Sequence, residues 1–530
     1  MTLRRPSALA AASMTLALTC SFVAVPDAAA QSTGTNKATV SHIGVGATST
    51  DMNFSWRATS NGDEAVKYYP SGHPEEAKTV AAKEADYGAL LYRSMHASIS
   101  GLQPGAEYTY QIGSDKGGWT DPETFRVQAE GDSWSFLNFA DAQIGVDLKV
   151  EEQADAWRTA VKQATGKYPN SEFILHAGDQ VEGWGNPIKQ WEAFFSAEEL
   201  KNYPVALTKG NHETYNFSDK HFDEHGNLPN RDGRTANYFF ERNNALFVVL
   251  DSNESSKGDI EKHADFVRKT VAEHGSGKDW IIAVMHHAPF SHGSHAMKDS
   301  DVKALRKGLA PVFSEAGVDM VMSGHDHMYN RSHLLNGLTP TVPDARPNAG
   351  DVLKPKAGEV LYVTTTTAGG GKYYDFHSPD GKSHPEITDR SQTEGTDLQA
   401  KEIAFWTQDK TPDYAVVDVD KDRLTMRTFN VADHSLVDEF TLDKSSTDRP
   451  APGTVDPGVV TPGGGDADED GSSGSSAGEI DASSAVGIGI GIAVLLGLIG
   501  GAVLAAPQLR EIAAQVPQLR QFADQFGIKL

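Results

Sequence analysis

The sequence predicts an α/β domain of parallel strands, preceded by an all-β segment and followed by a polar linker and a transmembrane helix. Three observations predict it. Five short apolar runs, at 134–140, 173–177, 205–208, 281–285 and 318–322, each end in a loop that carries Asp, Asn or His. Helix-like spacing lies between runs. On both sides of this region the composition changes character.

The apolar runs are rich in β-branched and aromatic residues and lack polar alternation, as strands covered on both faces do. Between the last two, Val302, Leu305, Leu309, Val312 and Phe313 recur at three- and four-residue steps, which predicts a helix over 301–316 behind a Ser/Asp start signal. Strand, loop and helix therefore alternate, and ligands in such folds bind beyond the carboxyl ends of the strands. All five loops would converge there.

Those loops read FADAQ around Asp141, HAGDQ around Asp179, KGNHE around Asn211, VMHHAP around His286, and SGHDH around His325 and His327. They supply carboxylate, amide oxygen and imidazole without any thiolate, a set that suits hard or borderline metal ions. A single Asp after a strand is more often a helix cap or turn residue, but five such loops in succession make a coincidence of turns a poor account. If Asp179 bridges, its two oxygens hold a pair of ions about 3.5–4 Å apart, the separation used in two-metal hydrolysis. His286 and His287 compete for one position: counting from Val284 favours His287, while the Met-His pair and the step to His295 favour His286.

The ordered blocks D-x-Q, GD, GNHE, MH-x-x-P and GHDHxYxR resemble the calcineurin-like metallophosphoesterase superfamily, and purple acid phosphatases within it, over 134–442. The resemblance implies a metallophosphoesterase β-sandwich flanked by helices. It makes Asp141 and His327 ligands of a first metal and Asp179 a bridge, with Asn211, His286 and His325 on a second. His212 would orient substrate and protonate the leaving alcohol, and His295 would contact phosphate. The cofactors would be two metal ions, iron with zinc or manganese or two divalent ions. A bridging hydroxide would hydrolyse a small phosphomonoester; the alternatives are a phosphodiesterase on the same metals, or a surface binding or adhesion protein with a degenerate site. Two positions depart from the family pattern: Glu182 stands where the purple enzymes have Tyr, and Gln143 stands where other members have His. The first metal is thus one ligand short, with Glu182, Gln143 or water to complete it.

The remaining chain sets the context. A formal charge of −25 over 530 residues, with no basic stripe, argues against nucleic acid as a partner. Residues 1–30 read as a signal peptide that contains the sole cysteine, Cys20, so the exported chain would have no disulfide framework. Residues 35–130 alternate strands and turns, with Trp56 and the Tyr108/Tyr110 alternation giving one buried and one exposed face; they resemble the fibronectin type III-like sandwich of plant-type purple acid phosphatases. The catalytic domain is placed at 131–445. Within it, Thr364 to Gly371 reads as a strand and turn, since it lacks the Lys-Ser/Thr ending of a phosphate loop. His221, His225, His292 and His434 are expected at the solvated surface. A Pro/Gly/Ser/Asp linker follows at 446–484, then an uncharged stretch at 485–506, enough at about 22 residues to cross about 30 Å of hydrocarbon. Basic residues in the tail at 507–530 place it in the cytoplasm. The sequence therefore predicts an exported, single-pass enzyme on the extracytoplasmic face of the membrane.

Overall fold

The structure, a computed structural model, describes residues 38–85, 92–233, 235–342 and 346–445. The segments expected to be signal peptide, linker, membrane-spanning stretch and tail all lie outside the described residues. Among the described residues no helix is long and apolar enough to cross a membrane.

The strands that carry the five loops divide between two sheets. Trp134–Phe139, Ile174–His176 and Val205–Leu207 run parallel in an 11-stranded sheet, whereas Trp280–Met285 and Met320–Ser323 run parallel in a 9-stranded one. The sheets pack face to face around Phe136, Phe173, Phe240 and Phe247, with Phe136 stacked on Phe173 at 5.0 Å and Phe240 on Phe247 at 4.6 Å. Successive side chains of a strand point to opposite faces. Trp134 and Phe136 therefore enter this inner layer, while Leu137 and Phe139 pack outward beneath helices Val150–Lys167 and Pro187–Phe194. On the other side, Leu246, Val248, Ile281 and Ala283 are covered by helices Lys257–His274 and Ser300–Ala316. The loop-bearing strands are buried on both faces, which is why they read as unbroken apolar runs.

The N-terminal β region does not stand apart. Its strand Ala38–Val45 pairs in parallel with Val205–Leu207 at Gly44 and Val205, extending the 11-stranded sheet. Met52–Ala58 is buried along its whole length, because one face meets its own core at Phe54 and Trp56 and polar side chains cross the junction. Asn53 donates to the Asn227 carbonyl at 2.7 Å, and Arg57 pairs with Glu192 at 2.9 Å.

Burial corrects one expectation. His221, His225 and His292 are buried rather than solvated, at 6%, 1% and 0% exposure. Their ring nitrogens are satisfied internally: His221 meets Glu224 at 2.9 Å, His225 faces the Arg57 guanidinium at 3.2 Å, and His292 donates to the His377 carbonyl at 3.0 Å. His42, stacked on Phe195 at 3.7 Å, donates to the His225 carbonyl at 3.2 Å. Burial lowers its pKa from 6.5 to about 3, aided by nearby His96; burial and then Arg57 drive His225 the same way. Both rings are neutral in the fold, so below pH 6.5 the unfolded chain binds more protons. Stability from this pair is expected to be complete above pH 6.5 and to fall as the pH drops toward 3. Unfolding temperatures measured across that window check this, and a level profile contradicts it.

Candidate metal centre and active site

Backbone strain marks the site before any side chain is considered. Asp141, Gln143, Asp179, His325 and His327 all have positive φ, at 52°, 43°, 53°, 74° and 46°. Such conformations cost energy in non-glycine residues and cluster at functional sites. Gly178 (φ +102°) supplies the close approach between loops, since a Cβ there would lie 2.3 Å from His286 Nδ1.

Two of the groups of ligand atoms that result share Asp179. One comprises Asp141, Asp179 and His327; the other comprises Asp179, His286 and His325. Around His286 Nε2 lie Asp179 Oδ2 at 3.1 Å, Asn211 Oδ1 at 3.1 Å and His325 Nδ1 at 3.2 Å. His286 Nδ1–H donates to the Ala177 carbonyl at 2.9 Å, so the neutral ring presents only a lone pair at Nε2. The Asn211 amide N–H donates to Tyr215 at 2.6 Å, which turns its oxygen inward. With both rings neutral and their inner nitrogens unprotonated, four lone-pair-bearing atoms face one another. Ligands about 2.0–2.2 Å from a tetrahedral ion would have similar mutual spacing, so the donor set fits a cation. Burial opposes charge on His286, yet Asp179 and Asp141 outweigh it and push its pKa up to about 10, another sign of how strongly the pocket demands positive charge. Burial likewise opposes ionisation of Asp179, but His286 and His212 hold it below the usual carboxylate range.

The first group is built similarly. His327 Nδ1–H donates to the Lys372 carbonyl at 2.8 Å, leaving Nε2 at 3.2 Å from Asp141 Oδ1. Asp141 also accepts the His325 backbone N–H with both oxygens at 3.0 Å. Fixing the far nitrogen of a ligand His in this way sets its tautomer. His287 stays outside both groups, with Nδ1 at 2.8 Å from Ser252 Oγ.

Glu182 and Gln143 flank His212 instead of joining either group. His212 Nδ1–H donates to the Glu182 carbonyl at 2.8 Å, with the Glu182 carboxylate 3.3 Å from the same nitrogen, and Gln143 Nε2 lies 2.6 Å from His212 Nε2. His295 lies at the opposite rim on helix Ser294–Lys298, its ring 4.1 Å from that of His325 and its Nδ1 2.6 Å from Asp299. Burial opposes charge on His295, but the Asp299 hydrogen bond and the charges of Asp326 and Asp299 together outweigh it and raise its pKa.

Sequence reasoning missed two carboxylates that hold this geometry. Glu213 accepts the backbone N–H groups of Asp179 at 3.0 Å, Gly210 at 2.8 Å and Val181 at 3.2 Å, tying the GD loop to the GN loop. Asp326 accepts from His295 N at 3.1 Å and Ala296 N at 3.3 Å, tying the GHDH loop to the helix that carries His295. A carboxylate that serves backbone donors has no spacing signature. Conversely, Tyr329 and Arg331 of the GHDHxYxR block lie away from the ligand groups. Both bind Asp438, at 2.8 and 2.7 Å, inside the protein.

Comparison with known proteins agrees with this geometry. Residues 135–329 match the calcineurin-like phosphoesterase family, and residues 40–127 match the purple acid phosphatase N-terminal domain. A probable purple acid phosphatase of Arabidopsis thaliana is 22% identical over 295 residues, covering 53% of this chain and 66% of its own length. The purple acid phosphatase of Glycine max is 22% identical over 323 residues, covering 55% and 66%. The chain thus spans about two thirds of these relatives. The structure of a purple acid phosphatase from yellow lupin (Lupinus luteus) seeds superimposes with a TM-score of 0.61 at 17% identity over 77% of this chain and 75% of that one, a likeness of fold. With two family matches in the expected order and the ligand loops gathered at one site, the chain carries a calcineurin-like phosphoesterase domain over 135–329 behind a domain that matches the purple acid phosphatase N-terminal family over 40–127.

Proposed function

We propose that this chain is a two-metal phosphoesterase that hydrolyses small phosphomonoesters, exported and anchored through its 485–506 stretch. The observation that carries the reading is the pair of ligand groups joined at Asp179. Asp141, Asp179 and His327 would hold one ion, and Asp179, Asn211, His286 and His325 the other. Bound there, metals would activate water and neutralise charge on the phosphoryl group.

The chain's own residues supply the proton chemistry. With Nδ1–H committed to Glu182, His212 offers Nε2 as the atom that carries and releases a proton. Gln143 serves that nitrogen in both protonation states: its N–H donates to the neutral ring, and its Oε1, without a partner among the described residues, accepts from the protonated ring after an amide flip. His295, held between Asp299 and the Asp326-capped backbone, presents a cationic face to phosphate.

The test is metal content on the full chain, assayed beside hydrolysis of a monoester and a diester. Two metals with preferential monoester turnover support the reading. No turnover of either ester rejects it, and a diester preference replaces it with a phosphodiesterase. His212→Ala is expected to keep the metals and slow alkyl phosphates about 100-fold or more, with a smaller loss on 4-nitrophenyl phosphate, because a basic leaving alcohol depends most on general acid help. Equal loss on both would assign His212 to binding alone.

A further inference from the structure

The loop after Asp179 places an exposed aromatic ring beside the centre, and its construction is rigid. Trp184 is 48% exposed, although its flanks are tightly held. Gly183 and Gly185 have φ of +76° and +86°, and a Cβ on Gly183 would lie 2.1 Å from the His212 carbonyl oxygen, so no other residue fits there without a shift. The buried side chain of Gln190 accepts from Gly183 N at 3.0 Å and donates to the Trp184 carbonyl at 2.5 Å, stapling the turn to helix Pro187–Phe194. A mobile surface tryptophan needs no such support.

The direction in which the ring is presented matters more. Trp184 lies 5.4 Å from the ring of Tyr215, and Tyr215 lies 4.7 Å from the ring of His212 while accepting the Asn211 amide N–H at 2.6 Å. An aromatic series thus runs outward from the leaving-group side of the site. Leu148, 53% exposed, adds apolar surface next to Gly185. A large exposed aromatic beside convergent polar groups is the usual anatomy of a binding subsite.

We propose that Trp184 is a stacking platform for the base of a nucleoside monophosphate, an inference that rests on the phosphomonoesterase reading above. The two ring-to-ring steps set the class of ligand. An aromatic ring bonded directly to the ester oxygen would end at Tyr215, whereas a base separated from its phosphate by a ribose extends to Trp184. Base-on-aromatic stacking is sequence-tolerant, since every base offers a π-face. The subsite therefore selects a ring at a distance rather than one particular base.

The experiment compares adenosine 5′-monophosphate, 4-nitrophenyl phosphate and glycerol phosphate in the metal-loaded wild type, Trp184→Ala and Trp184→Phe. For Trp184→Ala, KM for the nucleotide is expected to rise about tenfold or more. The other two substrates should stay within about twofold, and Trp184→Phe should recover most of the loss. A parallel fall on all three substrates, or an unchanged nucleotide KM, overturns the platform. Wild-type protein that turns over none of the three rejects the parent reading instead. A second readout does not depend on turnover: adenosine should quench tryptophan fluorescence saturably in the wild type and not in Trp184→Phe. Equal quenching in both overturns the proposal.

Discussion

Asp179→Asn is expected to abolish phosphate-ester hydrolysis while leaving the protein folded. Asp179 is the residue shared by both ligand groups, and its other oxygen accepts the His212 backbone N–H at 3.0 Å. Asn preserves the shape and that hydrogen bond but removes the negative charge that offsets two cations. Metal assistance contributes several kcal/mol to transition-state charge stabilisation, and each 1.36 kcal/mol is tenfold in rate. A loss of about a thousandfold or more follows, with metal content per chain falling below that of the wild type. Retained metal and retained turnover together would remove Asp179 from the centre.

The second large effect falls on stability, far from the chemistry. Asp438 is fully buried and receives Arg331 through Nε at 2.7 Å and Nη2 at 3.3 Å, together with the Tyr329 hydroxyl at 2.8 Å. The contact joins strand Tyr329–Ser332 of one sheet to strand Leu436–Asp443 of the other. Asp438→Ala would strand a buried guanidinium and a buried hydroxyl, with Asp351 at 3.4 Å as the remaining anion. Breaking one side of a buried pair costs about 3–5 kcal/mol. The unfolding midpoint is expected to drop accordingly, while metal content per folded chain stays at the wild-type level. A midpoint unchanged from the wild type would contradict the assignment.

The contrast between these two sites shows what was legible in the sequence. Asp141, Asp179, Asn211, His286, His325 and His327 could be found because each follows directly on an apolar run, and strand ends are where a sheet exposes side chains to ligands. The same runs could not reveal that they belong to two sheets. A strand in the middle of a layered sandwich and one in a single doubly covered sheet have the same apolar pattern, and only long-range pairing separates them. Buried histidines were misplaced for a related reason: His225 and His292 are polar by composition, and the groups that satisfy them, Arg57 and the His377 carbonyl, lie far away in sequence. Tyr329 and Arg331 sit within a ligand-bearing block but serve packing between the sheets.

The pairing of Ala38–Val45 with Val205–Leu207 has a bearing on solubility. An uncovered strand edge offers a row of free N–H and C=O groups to any other chain, and proteins guard against that by covering the edge. Here the N-terminal segment is the cover, laid beside the strand that leads into Asn211. A phosphoesterase region cut at residue 131 would bare that edge, and its fate would be self-association in solution before any question of catalysis arose.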